Sequence, residues 1–243
     1  MSSTVATTTS TMPRKDTVST AFEKLDPARH AQLRRRTVED YRFAAGIAAV
    51  PVGASEMVEA CRSLPVVFLG AEDPTPHAIV GLAPGENALV GADGAWKAGV
   101  YVPAGLRHYP FALIDDEKTG IAVGVDAGSD LWGPEGQPLF GPDGTQTDFV
   151  GQTVRFMTAL QAEYEIARSV FRPVLASGLL VQRRVRLKTK GSDQERGIIY
   201  WAVDPERLAA QSDSSLAGWV RNNTMALIHA HLGSQGNFAR LVS

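Results

Sequence analysis

Glu86 and Asn87 stand directly behind Pro84-Gly85, and a turn built on proline and glycine displays polar side chains from a fixed backbone. A carboxylate in such a place can act as a general acid or base, or can hold a ligand hydroxyl. A structural reading competes with this: Asn87 satisfies the turn amides and Glu86 pairs with Arg107. Further along, Trp96, Tyr101, Arg107 and Tyr109 bring a guanidinium among aromatic rings, a combination that grips carboxylates and phosphates in small-molecule sites. Arg107 and Tyr109 share a face if extended and diverge by about 200° if helical. The alternative here is that Arg107 ties its loop to backbone carbonyls while the rings cover the end of a sheet.

His229 and His231 form a His-x-His pair. On a strand the two imidazoles lie on one side and suit a shared metal; on a helix they point apart and the idea fails. The nearest acid in sequence is Asp213, so no ligand set is completed, and neither a metal nor a cofactor is expected. Cys61 falls on the apolar side of an expected helix and reads as a small buried hydrophobe, not a nucleophile. No Gly-x-x-x-x-Gly-Lys-Ser/Thr phosphate loop and no Gly-x-Ser-x-Gly nucleophile elbow occurs. Arg184, Arg186, Lys188 and Lys190 give one strand a basic face without aromatics, which reads as solvated and not as a nucleic-acid platform.

The elements that must position these groups follow from spacing. A strand is expected over Phe43–Val52, ending at Pro51. Ser55 then caps a helix through Met57, Val58, Cys61 and Leu64, which Pro65 stops. Short strands follow at Val66–Leu69, Ala78–Leu82, Ala88–Val90, Phe111–Ile114 and Ile121–Val125, with an Asp93-Gly94 turn. Gly128–Gly144 is rich in turn residues. Val150, Val154, Met157, Leu160, Tyr164, Ala167 and Phe171 recur every three or four residues and predict one long helix ended by Pro173, with Gly178 a second stop. A hairpin of Val181–Lys188 and Ile198–Val203 turns at Gly191-Ser192-Asp193. Short helices follow at Asp204-Pro205 and through Leu216, Trp219 and Val220. Met225–His231 reads as strand or short helix, and Ser234–Val242 as a closing amphipathic helix. The fold class is α+β: a mainly antiparallel sheet of short strands flanked by helices, with a C-terminal helix–hairpin–helix portion.

A chain of 243 residues, 44% apolar and 21% charged, suffices for one large domain or two small ones. Its formal net charge of −2 gives no general attraction to nucleic acid or anionic membrane. No apolar run approaches the ~20 residues of a membrane span. Residues 1–40 are expected to be a disordered, basic tail, with Asp26-Pro27 opening a short basic helix to Arg36 and the fold starting near Tyr41. The rest, 41–243, reads as one domain with two possible lobes, about 41–145 and 146–243. The start of the chain has neither the basic opening nor the apolar block of a secretory signal, so a cytoplasmic location is expected.

The order of motifs resembles the bacterial SapC family, which takes its name from surface-layer systems. The resemblance runs from about Tyr41 to the C-terminus. It rests on Val50-Pro51, Leu64-Pro65-Val66-Val67-Phe68, Gly81-Leu82 with Gly85-Glu86-Asn87, and Gly94-x-Trp96. It continues in Tyr101-x-Pro103-Ala104, Arg107-x-Tyr109-Pro110-Phe111, Gly136-x-Pro138-Leu139-Phe140, Ile228-His229-Ala230-His231-Leu232-x-Ser234 and Asn237. Ala88 and Gly105-Leu106 depart from the pattern. The resemblance implies a role in surface-layer systems or nutrient uptake, without a catalytic mechanism. The expectation is therefore an accessory or binding protein holding a small polar ligand or a protein partner. Its candidate residues are Glu86, Asn87, Trp96, Tyr101, Arg107, Tyr109 and His231. The alternative is an enzyme acting on a sugar-like or amino-acid-like substrate with Glu86 or His231 as acid/base.

Overall fold

The computed structural model describes residues 22–37, 40–118, 120–188 and 195–242. The expected tail over residues 1–21, the Gly191–Asp193 turn and Lys190 lie outside the described residues. Order begins earlier than Tyr41. Strand β1 (Phe22–Lys24) pairs antiparallel with β7 (Gly120–Asp126), placing Phe22 opposite Asp126. His30 is buried behind it, its Nε2 meeting Glu23 and its Nδ1 accepting the Asp26 N–H. Phe22 and Leu25 are too few to mark a strand by periodicity, and the pairing partner lies about a hundred residues on.

Asp26 caps α1 (Pro27–His30) by accepting from the Ala28 N–H, as Asp-Pro dictates. The helix does not reach Arg36: Arg34–Arg35 is strand β2, paired antiparallel with β8 (Gln137–Pro138). A 3-10 turn (Arg42–Ala44) replaces most of the expected first strand, leaving β3 (Ala49–Pro51). Helix α2 (Met57–Ser63) buries Met57, Ala60 and Cys61. Ser55 does not cap it; its N–H is held by Glu163, and Glu56 at the cap turns its side chain elsewhere.

β4 (Val66–Phe68) and β5 (Pro76–Ile79) then join β3 in a five-stranded antiparallel sheet ordered β3-β5-β4-β10-β9, where β9 is Leu180–Lys188 and β10 is Glu195–Val203. This sheet draws strands from both halves of the chain. A second sheet has the order β1-β7-β6, with β6 at Phe111–Asp116. The expected Ala88–Val90 strand is reduced to one bridge between Val90 and Trp96 around the Asp93-Gly94 turn.

After the four-residue α3 (Ala104–Arg107), the long helix α4 (Asp148–Ala176) links the two cores. Its 29 residues extend about 43 Å. Val150, Met157, Leu160 and Tyr164 pack against Phe111, Val125 and Leu139. Two turns further along α4, Phe171 and Val174 enter the larger core of the five-stranded sheet. Pro173 does not end α4: the helix stops at Ala176, with Gly178 at φ +71° supplying the left-handed residue behind the cap. A proline this close to the end breaks little ladder. Helices α5 (Pro205–Ala209), α6 (Asp213–Arg221) and α7 (Thr224–Ser234) follow, and the expected closing helix is a 3-10 segment, Gln235–Leu241. No helix among the described residues is long and apolar enough to cross a membrane.

Candidate functional site

The Gly81–Asn87 turn is fixed by backbone. A Cβ on Gly81 would lie 1.9 Å from the Glu86 carbonyl oxygen, while Gly85 sits at φ +77° with open space around it. Gly81→Ala is therefore expected to cost about 3 kcal/mol, because backbone must move, and Gly85→Ala about 1 kcal/mol, a left-handed penalty alone. Urea melts of the two variants check the order. Asn87 is buried, donating from Nδ2 to the Ala44 carbonyl (3.0 Å) and accepting the Leu89 N–H at Oδ1 (2.9 Å). It holds the turn, as the structural reading of the sequence had it.

Glu86 does not meet Arg107. Its carboxylate pairs with Arg196 of β10, 110 residues away in sequence. Trp96 donates its indole N–H to the Val100 carbonyl at 3.1 Å and packs against Tyr41. Tyr109 turns inward from Arg107: its ring stacks on Phe43 with centroids 3.9 Å apart, and its hydroxyl donates to Asp126 (2.9 Å). Burial pushes the Tyr109 hydroxyl up to about 12. Arg107 closes α3 and Tyr109 lies in the turn behind it, so the extended geometry that would set both on one face is absent.

His231 lies on a helix, so the shared-metal geometry with His229 is lost; His229 is exposed and His231 is wholly buried. Its Nδ1 donates to the Val66 carbonyl (2.7 Å) and its Nε2 accepts the Val203 N–H (3.1 Å). It bridges β4 and β10, and has no ring nitrogen left for acid/base work. Ser234 and Asn237 grip the same corner, bonding Val66 and the Cys61 and Leu64 carbonyls. Cys61 is buried nearby, its thiol pushed up to about 12 by burial.

Tyr101 and Arg107 alone of the seven candidates are drawn together, and the residue that gathers them is Glu56. Its buried carboxylate accepts from the Gly53 N–H (3.0 Å), the Tyr101 hydroxyl (2.8 Å) and the Ala104 N–H (2.8 Å). Arg107 donates to the Tyr101 hydroxyl (3.2 Å), lies over its ring at 5.7 Å, and stands 4.0 Å from Glu56. Burial first, and the Glu56 carboxylate second, push the Tyr101 hydroxyl up to about 12. With its side chain 47% exposed, Arg107 keeps the rest of its guanidinium toward solvent.

Beside it, His108 stacks on Phe156 (3.5 Å) and is pulled down to about 4 by burial, then by the charges of Arg35 and Arg107. Sequence reasoning passed over Glu56 and His108: a single acid before a helix and a single histidine after one carry no pattern. A separate open depression of about 410 Å³ lies where α4 begins, lined by Gln137, Pro138, Thr147, Asp148, Phe149 and Gln152. None of the seven candidates lines it.

The SapC family model matches residues 25–241. The chain belongs to the SapC family. The match begins just after β1 and takes in α1 and β2 as well as the motifs from Val50 onward, so it starts sixteen residues before the Tyr41 at which the motif resemblance began. No match to this SapC chain was found among curated proteins or among solved structures. Several SapC-type motifs have plain structural duties here: Asn87 in the turn, and His231, Ser234 and Asn237 at the β4 corner.

Proposed function

We propose that this SapC-family chain is a non-catalytic accessory protein that holds a small anionic ligand, or an acidic partner group, at Arg107. The observation that carries this reading is the state of the guanidinium. It is oriented from behind by Tyr101 and Glu56 yet only loosely neutralised, and it opens to solvent at the end of the four-residue α3. Arginine so placed offers a paired-donor fork to a carboxylate or phosphate. The acid/base candidates speak for holding over turnover: Glu86 is committed to Arg196, Glu56 to three donors and His231 to two strands. A sugar phosphate or amino acid as ligand would tie the protein to nutrient uptake, the setting that the family resemblance implies.

A thermal-shift screen of sugars, sugar phosphates, amino acids, dicarboxylates and divalent metals tests this reading. An anionic member at a hundredfold its dissociation constant is expected to raise the melting temperature by roughly 5–10 °C. Arg107→Ala is expected to abolish that rise while lowering the unliganded melting temperature little, since Arg107 is half exposed, stands 4.0 Å from Glu56, and leaves that carboxylate its three closer donors. An equal rise in Arg107→Ala would refute the site. Turnover of a sugar or amino-acid substrate, lost in Glu86→Gln with the fold intact, would refute the non-catalytic reading.

A further inference from the structure

Strand β9 ends the five-stranded sheet, and among the described residues no strand pairs with its outer edge. The Asp204 N–H donates to the Leu179 carbonyl (2.9 Å), one step beyond the Leu180–Val203 pair, and that bond sets the phase of the β9–β10 ladder. In an antiparallel ladder the bonded pairs alternate, so Val181, Arg183, Val185 and Leu187 bond to β10. Gln182, Arg184, Arg186 and Lys188 turn their N–H and C=O groups outward.

Those same residues share one face of the strand. Arg184, Arg186 and Lys188 are exposed on it, and no acid among the described residues forms an ion pair with Arg184 or Arg186; Glu195 stands opposite Lys188 in the register without an ion pair, whereas Arg183 is paired with Asp204. The other face shows half-buried Val181, Val185 and Leu187. The edge thus repeats a cation every second residue, ~6.5–7 Å apart, with apolar surface on the alternate positions.

We propose that β9 receives, as a sixth strand, an extended segment of a partner protein in which acidic and apolar residues alternate. Such a segment lays acids beside Arg184, Arg186 and Lys188 and apolar side chains beside Val185 and Leu187, while its backbone completes the open ladder. A second copy of β9 is a poor occupant because like charges would face each other. Single-stranded nucleic acid wants stacking rings, and the register offers this face a half-buried Trp201, beside Gln182. Charged edges also guard sheets against pairing, and a pure guard binds no segment at all.

A capped, fluorescently labelled nonapeptide alternating Glu and Val, titrated against the full chain by anisotropy, separates these outcomes. Saturable binding is expected, weakening about tenfold in Arg184→Glu/Arg186→Glu and falling with added salt. Arg186→Pro removes an outward N–H and leaves the β10 ladder intact, so it should weaken binding beyond Arg186→Ala. Hydrogen exchange at the Arg184 and Arg186 amides should slow on binding. The proposal fails if no saturable binding occurs, or if a peptide of the same composition in Glu and Val blocks binds equally. It fails too if an oligothymidylate binds and the peptide does not, or if the chain dimerises through β9. Should Arg186→Pro unfold the hairpin, the alternating-versus-block comparison on the unaltered chain decides.

Discussion

His231→Ala is expected to cost roughly 4 kcal/mol and to remove much of the protein's acid sensitivity. The side chain is wholly buried, and the two backbone groups it serves belong to strands that otherwise share one registered pair, Trp201 opposite Phe68. Two residues along, the register would set Val66 opposite Val203; there the imidazole replaces the direct ladder bond. A carbonyl can only accept and an amide N–H can only donate, so the ring must be neutral with its proton on Nδ1. Alanine strands the Val203 N–H, leaves the Val66 carbonyl with only the Ser234 hydroxyl at 3.3 Å, and opens a cavity between them.

Burial, opposed by the bond to Val66, holds this imidazole down to about 4, against 6.5 in its ordinary state. Between those values the unfolded chain binds a proton that the folded chain refuses, so stability falls as pH drops from about 6.5 to 4. The full loss attributable to His231 is about 3 kcal/mol. His108 and His77 are shifted in the same direction, so the wild-type slope exceeds the His231 share. Urea melts at pH 7.5, 6, 5 and 4 on wild type and variant isolate that share as the difference in slope. Parallel pH profiles would contradict the bridging role.

Glu56→Ala is expected to cost roughly 3–5 kcal/mol and to loosen the Arg107 site at the same time. The carboxylate accepts from residues 53, 101 and 104, so it pins the chain before α2 to the segment that carries α3. Its removal strands the buried Gly53 and Ala104 amides and frees Tyr101. Tyr101→Phe deletes one donor and leaves Glu56 the other two, for a loss of about 1 kcal/mol. Denaturant melts rank the two. A Glu56→Ala loss no larger than that of Tyr101→Phe would show that the carboxylate is not the anchor.

The failure of Glu86 to meet Arg107 has an instructive cause. The two lie close in sequence, on one short run dense in polar and aromatic residues. Yet α3 turns Arg107 toward Tyr101 and Glu56, while the sheet order brings β10, and with it Arg196, to Glu86. A charge pair separated by 110 residues has no local signature. Glu56 shows the same limit: three donors converge on it only after two loops are laid side by side.

What the sequence determined alone was whatever its own neighbours enforce. The three-and-four spacing from Val150 to Phe171 specified α4, alternation specified the β9–β10 hairpin and its basic face, and Asp-Pro pairs opened α1 and α5. The ordered run of motifs specified the SapC family. Tertiary structure alone decided that His231 is a bridge between strands, that Glu56 is the anchor and that β9 stands at an edge. Periodicity is a property of consecutive residues; partnership across the fold depends on strand order and register, which no single segment contains.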